Sequence, residues 1–100
     1  MAKVGWLFKD SHDTRVTTTT DVIIKRMPIL FVSHDSDDGM WQFHSGEDVN
    51  MDDAMLVSLK EIVDYDATVT KLANLPLGWI AWRDRLHASW SMKEILPVNL

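Results

Sequence analysis

One stretch constrains the fold more than any other. Pro28-Ile29-Leu30-Phe31-Val32-Ser33-His34 is apolar up to Ser33, Asp35-Ser36-Asp37-Asp38-Gly39 follows, and Met40-Trp41-Gln42-Phe43-His44 then alternates apolar with polar. Aspartate and glycine supply turn conformations, and both flanks are strand-like in residue type, so the segment predicts a β-hairpin. Pairing His34 with Met40 sets Ser33 opposite Trp41 and Phe31 opposite Phe43, with the aromatics facing the core. Leu30, Val32, His34, Gln42 and His44 then share the other face.

The remaining elements are read around that hairpin. Val4 to Phe8 is β-branched and aromatic and predicts a first short strand, followed by a loop from Ser11 to Arg15. Thr17 to Thr20, an early acid at Asp21 and late bases at Lys25 and Arg26 predict a short helix over 20–26, stopped by Pro28. Residues 55–63 fit two patterns: Leu56, Leu59 and Val63 make a helical stripe, whereas Met55 to Lys60 reads as a strand, and the strand is preferred. Asp66 caps a predicted helix over 66–75 in which Val69, Leu72 and Ala73 share a face. Gly78 to Arg83 predicts a last strand, and the tail from Asp84 packs as helix or turn through Leu86, Trp90, Met92, Ile95 and Leu96. The expectation is one α+β domain over 1–100, a small antiparallel sheet with one or two helices packed on it.

Composition removes several classes. A chain of 100 residues with 46% hydrophobic content supports one core, and 4 Gly with 3 Pro exclude collagenous and low-complexity types. The absence of cysteine rules out a disulfide scaffold and a thiolate zinc site. No apolar run approaches the roughly 20 residues of a membrane span, and residues 1–6 lack the apolar region of a secretory signal, so a cytoplasmic, non-membrane protein is expected.

The formal charge of -5 conceals an asymmetry. Residues 35–66 hold ten acids against the single base Lys60, a local charge of -9, while the other residues hold five acids and nine bases, +4. Such a block repels phosphate backbones, which argues against nucleic acid, and it steers a basic protein partner. The plainer alternative is a solvated face that keeps a small domain soluble. The binding reading places its residues at Asp35, Asp37, Asp38, Glu47, Asp48, Asp52 and Asp53. It adds Trp82 and Arg83, since tryptophan and arginine dominate binding hot spots, although small cores also use large residues.

Catalytic patterns are weak. A calcium loop starting at Asp35 would need a glycine at position six and a bidentate glutamate at position twelve, but Met40 and Gly46 stand there. His34 and His44 share a face in the expected register, with Asp35, Asp38 or Glu47 as possible companions. They lie about 13 Å apart, too far to share one metal, and polar sheet residues are the commoner outcome. No serine lies in a nucleophile elbow, and the glycines are too scattered for a phosphate loop. No cofactor is expected. The competing class is a small metal-dependent hydrolase using His34 or His44 with Asp35 or Asp38. A third is a self-associating module that buries exposed tryptophans between copies, so the oligomeric expectation is a monomer or weak homodimer.

The order of motifs carries a resemblance. Pro28 to Phe43, Leu59 to Asp66, and Leu75 to Arg83 together look like a group of short bacterial domains of unknown function, and distantly resemble toxin-immunity-like families with an aspartate-glycine-tryptophan turn, an acidic segment and a closing proline-glycine-arginine pattern. Met40 between Gly39 and Trp41 departs from that turn by one residue. The resemblance implies a compact α+β domain with no established activity, and it supplies no catalytic residues. The overall expectation is a non-enzymatic, immunity-like binding module with an acidic surface.

Overall fold

The computed structural model describes residues 5–46 and 50–95. It is an α+β fold built on a six-stranded mixed sheet, larger than the small antiparallel sheet expected. The strands are β1 (Arg15–Thr19), β2 (Phe31–His34), β3 (Trp41–His44), β4 (Ala54–Ser58), β5 (Trp79–Trp82) and β6 (Ser91–Glu94). They lie in the order β4-β1-β3-β2-β5-β6, with β1 and β3 parallel and every other pair antiparallel. The parallel pair arises because the chain leaves β1 through helix α1 (Thr20–Ile23), passes to β2, and returns through the hairpin so that β3 slots beside β1.

Strand β1 stands where the sequence predicts a loop and a helix cap. Threonine is β-branched, however, and here Val16 and Thr18 are fully buried while Thr17 between them is not. The predicted strand over Val4 to Phe8 does not form among its described residues, 5–8. Those residues instead cap the core with rings: Phe8 meets Trp41 edge-on at 5.3 Å, and Trp6 donates its indole N–H to the Asp10 carbonyl.

The hairpin forms one residue out of the expected register. His34 pairs with Trp41, Ser33 with Gln42, Val32 with Phe43 and Phe31 with His44. The longer turn sets this slip, since Asp35 N–H bonds the Met40 carbonyl and Gly39 N–H bonds the Asp35 carbonyl, so Met40 belongs to the turn. Because side chains alternate, the slip exchanges the faces of β2: Val32 and His34 join Trp41 and Phe43 on the core side, and Phe31 and Ser33 turn away.

Both patterns seen in residues 55–63 are real, in sequence. Strand β4 ends at Ser58, where a capping box starts helix α2 (Leu59–Tyr65): Ser58 Oγ accepts the Glu61 N–H, and Glu61 Oε1 accepts the Ser58 N–H, each at 3.1 Å. Asp66 caps the next segment as expected, accepting the Thr68 N–H at 3.0 Å, but that segment is a 3-10 helix, Ala67–Leu72. Residues i and i+3 eclipse in a 3-10 helix, which suits the buried pair Val69 and Leu72. A second 3-10 turn, Met51–Asp53, precedes β4. The tail is neither helix nor turn where strand β6 forms, and all four β6 residues are exposed.

The connection from β4, at one edge, to β5, near the other, runs across the sheet. Its Leu59, Ile62, Val69, Leu72 and Leu75 are buried in one cluster with Val16, Val32, Trp41, Phe43, Val57 and Ala81 of the strands. The opposite face carries Thr17, Phe31, Ser33, Gln42, Ile80 and Trp82, all half-buried, and only His44 and Thr19 are buried there. No helix of the described residues is long and apolar enough to cross a membrane.

Candidate binding site

The hairpin turn gathers the acids that the sequence places in tandem. Gly39 sits at φ 75°, a left-handed conformation that favours glycine, and Asp38 Oδ1 accepts the Met40 N–H at 2.9 Å. The chain thereby folds back so that carboxylate oxygens of Asp35, Asp37 and Asp38 all lie within 4.8 Å of one another. Oxygen ligands of this kind suit a hard cation, but Asp37 and Asp38 are exposed and calcium wants six to eight such ligands.

Beside the turn lies a cleft of about 350 Å³, bordered by Asp35, Ser36, Asp37, Trp79, Ile80 and Ile95. Gly78 forms its floor: its N–H bonds the His34 carbonyl at 2.6 Å, its carbonyl accepts the Ile95 N–H at 2.7 Å, and its φ is 84°. A side chain at Gly78 would meet Ser36 Cβ at 3.6 Å, so the glycine is required by its conformation more than by space. The cleft thus has carboxylates on one side and apolar surface on the other, which fits a cationic head on an aliphatic stem.

Asp35 is tied to the sheet by a relay along the open face. His44 Nε2 donates to Gln42 Oε1 at 2.8 Å, and Gln42 Nε2 donates to Asp35 Oδ2 at 2.6 Å. The relay fixes the His44 tautomer and leaves Nδ1 bare. Burial lowers the His44 pKa, and the charge of Asp35 partly opposes that. Among the described residues, His44 Nδ1 and Thr19 Oγ1 are buried without partners, and both residues border one small space of about 10 Å³.

The other expected site residues disperse. Asp52 and Asp53 sit before β4, at the His44 end of β3, so the length of that strand separates them from the Asp35 turn. Glu47 and Asp48 lie outside the described residues. Trp82 is half-buried on the open face opposite Phe31, with Lys93 Nζ 5.9 Å from its ring centre. Arg83 points the other way and is 5% exposed. Its guanidinium donates to Asp66 Oδ2 at 2.8 Å, Thr68 Oγ1 at 3.0 Å and the Ile29 carbonyl at 3.0 Å, and it lies under Trp90 at 4.1 Å. Arginine here cross-links the fold.

The two histidines of the hydrolase reading also separate. The register puts them on opposite faces and at opposite ends of the hairpin. His34 is fixed by stacking on Trp41 at 3.9 Å, and its Nδ1 donates to the Leu75 carbonyl at 2.7 Å. Neither approaches the aspartates as a metal set, since Asp35, Asp37 and Asp38 are the one such cluster among the described residues.

Gly78, Ile80, Ile95 and Gln42 were missed as site residues. Only Gly78 carried a local signal, following the turn proline Pro76; the others reach the site through pairing across β2, β5 and β6. No family model, no curated protein and no solved structure matches this chain, so the cleft and its acidic rim carry the functional reading on their own geometry.

Proposed function

We propose that this chain is a non-enzymatic protein-binding module whose acidic cleft receives a lysine or arginine side chain of a basic partner. The observation that carries the reading is the convergence of three carboxylates within 4.8 Å, two of which, Asp35 and Asp37, line a cleft together with Ile80 and Ile95. Carboxylates steer and orient a cation, and the apolar wall covers its methylene stem. An immunity-like role, in which the module covers a cationic surface of another protein, is the form of this reading closest to the motif resemblance. The tandem acids of the sequence support it as well, through a local field that raises encounter rates.

The test is titration with short blocked peptides containing one central lysine or arginine, followed by amide and indole NMR shifts. Shifts centred on Asp35 to Gly39 and the Trp79 indole, weakening with salt and at least fivefold weaker in Asp37→Asn/Asp38→Asn, are expected. Asparagine at 38 retains the oxygen that caps the turn. Shifts elsewhere, or binding indifferent to the double substitution, overturn the reading.

A further inference from the structure

A second cleft, of about 580 Å³, lies at the opposite end of β2 and β5, between the end of α1, the start of the 3-10 helix at Ala67 and the loop after β5. Its volume falls within the range of small-molecule sites. Pro28 and Leu86, the latter 43% exposed, supply apolar walls. Arg26 and His87 supply polar groups on the same cleft.

Those two residues share an unusual property. Arg26 at φ 61° and His87 at φ 70° are the only residues other than glycine with positive φ among the described residues. Each occupies a place that favours glycine. Arg26 follows α1 where the Met27 N–H closes onto the Asp21 carbonyl, the left-handed position of a helix-ending motif, and His87 lies in the turn closed by Ala88 N–H on the Arg85 carbonyl. Long side chains in such positions carry a conformational cost, and residues of this kind cluster at ligand clamps.

The Arg26 guanidinium is held ready. It lies 4.5 Å over the Tyr65 ring, and that ring is itself anchored by its hydroxyl, which donates to the Met27 carbonyl at 2.7 Å. Among the described residues Arg26 makes no ion pair. The neighbouring carboxylate, Asp66, does not answer it: Oδ2 is taken by Arg83 and Oδ1 by Thr68. The cleft therefore presents an uncompensated, planar, bidentate cation next to apolar walls.

We propose that this cleft binds a small free carboxylic acid with an apolar or aromatic body. The carboxylate pairs with the Arg26 fork, with the His87 ring as a second polar contact, and the body lies between Pro28 and Leu86. Guanidinium matches carboxylate geometry in two parallel hydrogen bonds, which favours a planar acid over a spherical ion.

The test uses 3-phenylpropanoate, with acetate and 3-phenylpropanamide as controls, monitored by NMR shifts of the whole chain. The acid should perturb Arg26, Tyr65, Leu86 and His87 and bind at least tenfold more tightly than either control, because one lacks the body and the other the charge. Arg26→Gln should weaken the acid at least tenfold. Arg26→Gly should do the same while melting no lower than the parent, since glycine suits that backbone, and this separates lost binding from lost folding. Equal binding of acid and amide, an unchanged affinity in either variant, or shifts centred on another surface would overturn the assignment.

Discussion

Two adjacent threonines show how far a single side chain's fate depends on strand parity. Thr18 faces the core, and its hydroxyl donates to the Phe43 carbonyl at 2.8 Å, stitching β1 to its parallel neighbour. Thr19 faces the other way, is 5% exposed, and its hydroxyl has no partner among the described residues. Removing a satisfied buried hydroxyl costs about 1 kcal/mol, whereas removing an unsatisfied one is neutral or favourable. Thr18→Val should therefore destabilise by about 1 kcal/mol and Thr19→Val should be neutral or stabilising, by urea denaturation; equal losses would refute the assignment. His44 adds a pH dependence at the same scale. Its pKa is lowered in the folded state by burial, so the unfolded chain takes up a proton near the ordinary 6.5 that the folded chain refuses. The stability this group leaves intact above pH 6.5 is lost as pH falls through 6.5 toward the folded value. An NMR titration should place the His44 midpoint below 6.5, and His44→Asn should lose that part of the acid sensitivity.

At the scale of elements, what could be read from the sequence was local and what escaped was pairing. The hairpin, the Asp66 cap, the start of α1 and the strand over 79–82 each announce themselves through residues close in the chain, whereas α1 ends at Ile23, short of the expected 26. The Ser58-Leu59-Lys60-Glu61 capping box went unread, although its residues are close in the chain, and it resolves residues 55–63 into a strand followed by a helix. The hairpin register was not legible, because the choice between Met40 in the strand and Met40 in the turn rests on backbone bonds inside the turn. Arg83 is the clearest case of non-local meaning: beside Trp82 it resembles a hot spot, yet its partners Ile29, Thr68 and Asp66 come from two other parts of the chain. Removing one member of a buried pair strands the other, at about 3–5 kcal/mol. Arg83→Met and Asp66→Asn should each cost that much in denaturant unfolding, and the double variant should lose clearly less than the two losses combined. Additive losses would mean that the two side chains act independently.

For the whole molecule, the mixed sheet divides into regions of unequal support. Strands β1, β3 and β2 occupy the middle and contribute Val16, Val32, Trp41 and Phe43 to the core, all at most 2% exposed. The sixth strand contributes nothing of the kind: its residues are exposed, and it is joined to the sheet only through β5. The sequence concealed this gradient, since a threonine-rich β1 looks like loop and a tail rich in Trp90, Met92 and Ile95 looks like packing material. Opening β6 uncovers little apolar surface, so it should occur without global unfolding, whereas separating β2 from β3 dismantles the core. Native-state amide exchange should then show the β2–β3 ladder exchanging with the free energy of global unfolding, and the β5–β6 ladder exchanging well below it. Since Gly78 and Ile95 join that weaker ladder to the acidic turn, the same opening would loosen the floor of the cleft. A bound basic peptide should therefore slow exchange in β6 more than in β2, and uniform protection of the two ladders in the free protein would remove this gradient.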